Sequence, residues 1–194
     1  MRYQDLLKIK KLYFSALDLA SCLGIGFDSA KVTCARYTKA GFIVRIKRNF
    51  YILRERWDRL SSEELFSVAN ILEVPSYISF TTALSYYEIS TQVQRDFIES
   101  ACMRRTKSVS IAVRQFEFFK IKNLYYNSFV KKENFFIATP EKAFIDSLYL
   151  TVLGKYKLDT SAVDLDKLNK NKIEKMLKTY PARIRKLMES LWKR

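Results

Sequence analysis

Six cations and a few short polar side chains between residues 29 and 49 are the part of this 194-residue chain best suited to chemistry. Ser29, Lys31, Val32, Arg36 and Lys39 come first, then Arg45, Lys47, Arg48 and Asn49. The chemistry they suit is recognition of a polyanion rather than bond breaking. Ammonium and guanidinium groups meet phosphates, and guanidinium, hydroxyl and amide groups reach base edges in a duplex groove. The chain has no histidine, which argues against Ser-His-Asp triads, imidazole acid catalysis and most transition-metal sites. Cys22, Cys34 and Cys102 are odd in number and widely spaced, which fits neither a disulfide framework nor a zinc site and points to a reducing cytoplasm. There is no GxGxxG, no P-loop and no Cys-Cys metal pair, so no cofactor and no metal are expected.

These residues need elements to hold them. A first helix is expected over about Gln4 to Leu12, with an apolar and a basic side. Ser15 is placed to cap a second helix carrying Ala16, Leu19, Ala20 and Leu23 at helical spacing. Gly24-Ile25-Gly26 breaks it sharply. Asp28 is expected to cap a third helix and Gly41 to end it. Ala30, Cys34 and Tyr37 should face inward, leaving Ser29, Lys31, Val32, Arg36 and Lys39 outside. An ordinary amphipathic surface helix would look the same. The hairpin that follows distinguishes it: Val44 and Ile46 should face the core, Arg45 and Lys47 face out, and Arg48-Asn49 turn. Helix, sharp turn, helix and basic hairpin form the order of a winged helix-turn-helix, a shape that also serves in protein–protein contacts.

Charge is concentrated at the ends. Residues 1–60 hold 13 Lys/Arg against 5 Asp/Glu, residues 61–150 hold 10 against 10, and residues 151–194 hold 12 against 5. Basic ends around a neutral, aromatic-rich middle favour a polyanion partner over simple solubility. No apolar run approaches the roughly 18–20 residues of a membrane span, and Met1 to Asp5 lacks signal-peptide character.

Residues 54–62 read as a charged connector, giving domains 1–59 and 63–194. Beyond it, Glu63 to Leu72 should be helical and Pro75 should stop it. Tyr77 to Phe80 reads as extended, and Thr81 or Thr82 should cap the next helix. Short strands are expected at Phe97-Ile98, Val109 to Val113, Phe116 to Ile121 and Phe135 to Ala138, in a strand-rich region starting at Val93. Thr139-Pro140-Glu141 has the residues of a helix start. Asp164 to Arg194 reads as basic amphipathic helices divided by Pro181. The fold class is therefore α+β: an N-terminal winged helix-turn-helix, then a mixed α/β domain ending in basic helices.

Glu141, Lys142 and Asp146 invite a metal-nuclease reading. Two carboxylates five apart on one helix do not converge on a metal, and capping accounts for the segment without catalysis, so no enzyme is expected. Twelve tyrosines and fourteen phenylalanines could stack on single strands, but most fall in core patterns.

Four stretches in fixed order carry a resemblance. They are Arg45 to Tyr51, Pro75 to Ser85 with its Tyr77-Ile78-Ser79-Phe80, the strand block, and Ala138 to Asp146 with its Thr139-Pro140-Glu141-Lys142-Ala143. Together they resemble the AbiEi-type antitoxin family of bacterial abortive-infection toxin–antitoxin pairs, over nearly the whole chain. The resemblance implies a winged helix that represses its own operon at promoter inverted repeats, and a C-terminal domain that neutralises a nucleotidyltransferase-like toxin, with or without direct contact. Asn49 stands where the family usually has glycine, and asparagine is the best substitute for glycine at positive φ. A stand-alone winged-helix regulator without a toxin is the alternative reading.

Overall fold

The computed structural model describes residues 3–92 and 94–192, and these form a mixed α+β protein with eight α-helices and two sheets. Met1-Arg2, Val93 and the last two basic residues, Lys193-Arg194, lie outside the described residues, as does the expected start of the strand-rich region at Val93. Two compact units divide the chain, Met1–Val68 and Ala69–Arg194.

The N-terminal unit begins with a 3-10 turn over Tyr3–Lys8, not the longer helix expected to Leu12. Its three-residue period places Leu6 and Ile9 on one side, both buried, and the Ile9 amide donates to the Leu6 carbonyl at 3.0 Å. The chain must then extend, because Phe14 exchanges two backbone hydrogen bonds with Tyr51. Helix α1 (Ala16–Leu23) starts at Ser15 with a complete capping box: Ser15 Oγ accepts from the Asp18 amide, and the Asp18 carboxylate accepts from the Ser15 amide at 2.8 Å.

Helix α2 (Phe27–Lys39) starts two residues earlier than an Asp28 cap would place it. Gly24, at φ 62°, ends α1, and the extended Gly26 serves as N-cap without a side chain. Asp28 therefore lies in the first turn, where its charge still suits the dipole. Ala40 is the C-cap and Gly41 follows at φ 79°. The Gly41 amide reaches Thr38 and the Phe42 amide reaches Tyr37, a Schellman ending that needs this left-handed residue.

Strands β1 (Ile43–Lys47) and β2 (Phe50–Leu53) form the antiparallel hairpin. Ile43 and Ile46 are buried, whereas Val44 is only half-buried. The expected Val44/Ile46 alternation fails because the register shifts between Arg45 and Lys47, and this bulge brings residues three apart to the same side. Residues 54–62 are not a simple connector. Arg54–Asp58 forms α3, Trp57 and Leu60 are buried, and Arg56 donates to the Lys10 carbonyl at 2.9 Å. One core joins the 3-10 turn, α1, α2 and the hairpin: Leu6, Phe14, Leu19, Ala30, Cys34, Tyr37, Ile43 and Leu53.

Helix α4 (Ser62–Leu72) spans the division between units. In the C-terminal unit, β3 (Ser76–Ile78), β4 (Phe97–Cys102), β5 (Lys107–Ile111), β6 (Arg114–Lys120), β7 (Phe129–Lys132) and β8 (Phe135–Ala138) form one sheet. Its order is β5-β6-β4-β3-β8-β7, with β3–β8 and β4–β6 parallel and the other pairs antiparallel. Val113 belongs to the β5–β6 turn rather than to a strand, because Ala112 turns the chain at φ 52°. Strand β7, not expected from sequence, is an edge strand with two exposed lysines. Helix α5 (Phe80–Tyr86) has Ser79, not Thr81 or Thr82, at its N-cap position. Helix α6 (Pro140–Val152) starts as expected, with Thr139 Oγ1 accepting from the Lys142 amide. The basic tail supplies α7 (Lys170–Leu177), capped by Asn169, and α8 (Ala182–Trp192).

Candidate functional site

The buried stripe of α2 is Ala30, Thr33, Cys34 and Tyr37. Burial raises the Cys34 thiol to about 11, so it is a packing group without nucleophilic character. Ser29, Lys31, Val32, Arg36 and Lys39 are all exposed, together with Asp28 and Ala35. Lys31 lies over the Phe27 ring at 4.2 Å and pairs with Asp28 at 3.1 Å. Exposed pairs of this kind contribute little to stability, so Lys31 can exchange Asp28 for another anion at small cost. The Arg36 guanidinium lies 5.5 Å from the Tyr37 ring.

The hairpin is held against the start of α1 rather than left to swing. Phe14 bridges Tyr51 through the backbone, and Tyr13 lies against Phe50 with ring centroids 5.8 Å apart. Asn49 takes φ 61°, and its Oδ1 accepts from the Ala16 amide at 3.0 Å. That carbonyl oxygen satisfies one of the free amides at the beginning of α1. Asn49 therefore has a positioning role that the sequence did not disclose. Arg45 and Arg48 are exposed, while Lys47 is half-buried over the Phe50 ring at 4.8 Å. All nine residues singled out from the sequence thus lie on two elements of one unit, eight with side chains turned out or half-out and Asn49 tied by its oxygen to α1.

Several other cations of this unit are engaged within it. Arg56 bonds both the Lys10 carbonyl and Glu64, and Lys11 pairs with Asp18 at 2.5 Å. Lys11 and the Ser15 hydroxyl and amide hold the Asp18 carboxyl down at about 2. What this arrangement can do chemically is offer hydrogen-bond donors and positive charge to an extended anion. It contains no nucleophile–base pair.

The C-terminal unit buries several of its charged groups. Lys142 and Asp146, one turn apart on α6, are fully buried and paired. Tyr77 Oη and Ser79 Oγ each donate to Asp146 Oδ2 at 2.9 Å, and Lys142 Nζ donates to Tyr180 Oη at 3.3 Å. Burial, with the Asp146 charge second, pushes the Tyr77 hydroxyl well above its ordinary range, so it remains a donor. Tyr180 stacks on Tyr125 at 4.1 Å. Tyr77 and Ser79 come from one sequence signature and Lys142 and Asp146 from the other. Parallel pairing of β3 with β8 brings the two together. The network is sealed from solvent, and among the described residues no group of three or more His, Cys, Asp or Glu could hold a metal ion.

A second polar network surrounds Glu99, which is 3% exposed. The Thr82 amide and Tyr156 Oη donate to it at 3.3 and 3.1 Å, and burial raises its carboxyl to about 7. The basic tail forms a groove of about 390 Å³ between α7 and α8, where Lys170, Lys178 and Arg185 are interspersed with Glu174 and Glu189 above Leu177, Met188 and Trp192. No helix among the described residues is long and apolar enough to cross a membrane. No protein-family model and no curated protein matches the chain.

Proposed function

We propose that this chain is a cytoplasmic, DNA-binding antitoxin of the AbiEi type. Its unit Met1–Val68 acts as a winged helix-turn-helix, with α2 as the reading helix and the β1–β2 hairpin as the wing. It represses its own operon at promoter inverted repeats. The C-terminal unit neutralises a nucleotidyltransferase-like toxin.

One observation carries the reading: an exposed basic helix, reached through a glycine turn, shares a single core with a basic hairpin anchored at its tip. An isolated backbone bridge from Phe14 to Tyr51 is consistent with a braced wing. The antitoxin half of the proposal rests on the signature residues, which the C-terminal unit gathers around Asp146.

Two assays test the two halves. Purified full-length protein should shift a duplex spanning its own upstream region, and the Lys47→Ala/Arg48→Ala pair should weaken binding to all sequences alike. Co-expression with an adjacent nucleotidyltransferase-like gene should restore growth with the full chain, but not with a chain ending at Val68. Growth rescue by the short chain would overturn the division of labour. Duplex binding without an adjacent toxin gene would leave a stand-alone regulator.

A further inference from the structure

Val32 is an apolar residue held outside the core. It is 68% exposed on a 13-residue helix whose packing stripe is Ala30, Thr33, Cys34 and Tyr37. At 100° per residue, Val32 projects within about 30° of the direction opposite that stripe, so it stands near the crest of the exposed face. Ala35, one turn further and also exposed, continues this small apolar strip. Around it lie Ser29, Lys31, Arg36 and Lys39, with Asp28 paired to Lys31. Valine is also a poorer helix former than alanine or lysine, so local helix stability does not select it.

An apolar methyl pair ringed by cations and a hydroxyl matches one feature of a duplex. In the major groove, thymine alone presents an apolar group, its 5-methyl, next to hydrogen-bonding edges and within reach of phosphates. The surrounding Lys31, Arg36 and Lys39 complement the phosphate charge. We infer that Val32 is a specificity-determining residue that packs on a thymine 5-methyl group in the major groove. This deepens the proposed DNA reading and rests on it.

The test uses the full-length protein and duplexes selected from a randomised pool. Replacing thymine by deoxyuridine removes the methyl and leaves every hydrogen-bonding edge intact. At one or more selected positions wild-type protein should bind the uracil duplex roughly three- to five-fold more weakly, the scale of one buried methyl. Val32→Ala should bind both duplexes within about 1.5-fold of each other, because the contact is gone; Val32→Ile should preserve the thymine preference. Sequence-selective binding with no thymine–uracil difference at any position would overturn this inference and leave the DNA reading intact. That is also the result expected if Val32 instead meets a protein partner. Absence of binding to every duplex would overturn both.

Discussion

The two units differ in what they bury: the N-terminal unit keeps its charges at the surface, whereas the C-terminal unit, beside many exposed charges, also buries several. In the N-terminal unit Lys31, Arg36, Lys39, Arg45 and Arg48 point into solvent, and the core is almost wholly apolar. In the C-terminal unit Glu99, Arg114, Glu141, Lys142 and Asp146 lie inside. An exposed cation costs little to hold and can be handed to a ligand. A buried ion pair must satisfy itself at home, and its removal strands a charge. The same residue types are therefore available at the surface of the N-terminal unit and, at Lys142 and Asp146, satisfied by each other inside the C-terminal unit.

Substitutions should separate the two regimes. The largest expected effect is at Asp146. Asp146→Ala leaves Lys142 buried without its carboxylate and removes the acceptor for Tyr77 and Ser79, so unfolding in urea should show a loss of about 3–5 kcal/mol. A loss under 1 kcal/mol would mean that the buried network does not hold the C-terminal unit together. Next comes Asn49→Gly, which keeps the positive φ but deletes the bond to Ala16. It should cost about 1 kcal/mol and leave the salt dependence of duplex binding unchanged. A changed salt slope would instead make Asn49 a phosphate ligand. Smallest is Lys31→Ala, which should alter folding stability by less than about 0.5 kcal/mol.

The buried Glu99 gives the C-terminal unit a pH dependence that the exposed charges cannot. Its folded pKa, about 7, lies above the ordinary 4.5, so the folded chain holds this proton more tightly than the unfolded one. The stabilisation is fully present below about pH 4.5 and is lost as pH rises through about 7. Thermal melts should show stability falling across that window, and Glu99→Gln should flatten the decline. Asp18 works the other way, contributing above 3.8 and losing its contribution as pH falls towards 2, so the two windows do not overlap.

What the sequence disclosed and what it hid follow one rule. Ser15, Thr139 and Asn49 were legible at their turns because capping and positive φ are properties of a few adjacent residues. The outward face of α2 was legible from its period. The hairpin bulge, the edge strand β7 and the helical turn at Trp57 were not, since each depends on what the segment meets elsewhere in the chain. The Asp146 network is the clearest instance. Tyr77 and Asp146 are 69 residues apart, and only the β3–β8 pairing makes them partners. Glu141, Lys142 and Asp146 invite a metal-site reading that their spacing already argues against; in the fold Lys142 and Asp146 are buried and paired with each other.

On the proposed function, the N-terminal unit offers its outward charge to duplex DNA. The most direct test of this is the affinity of the full-length protein for its own upstream duplex, measured across salt concentrations with and without Lys47→Ala/Arg48→Ala. Affinity should fall linearly on a log–log plot, and removing two phosphate contacts should reduce the slope by about 2. An unchanged slope and affinity in the double variant would mean that the hairpin does not touch DNA phosphates.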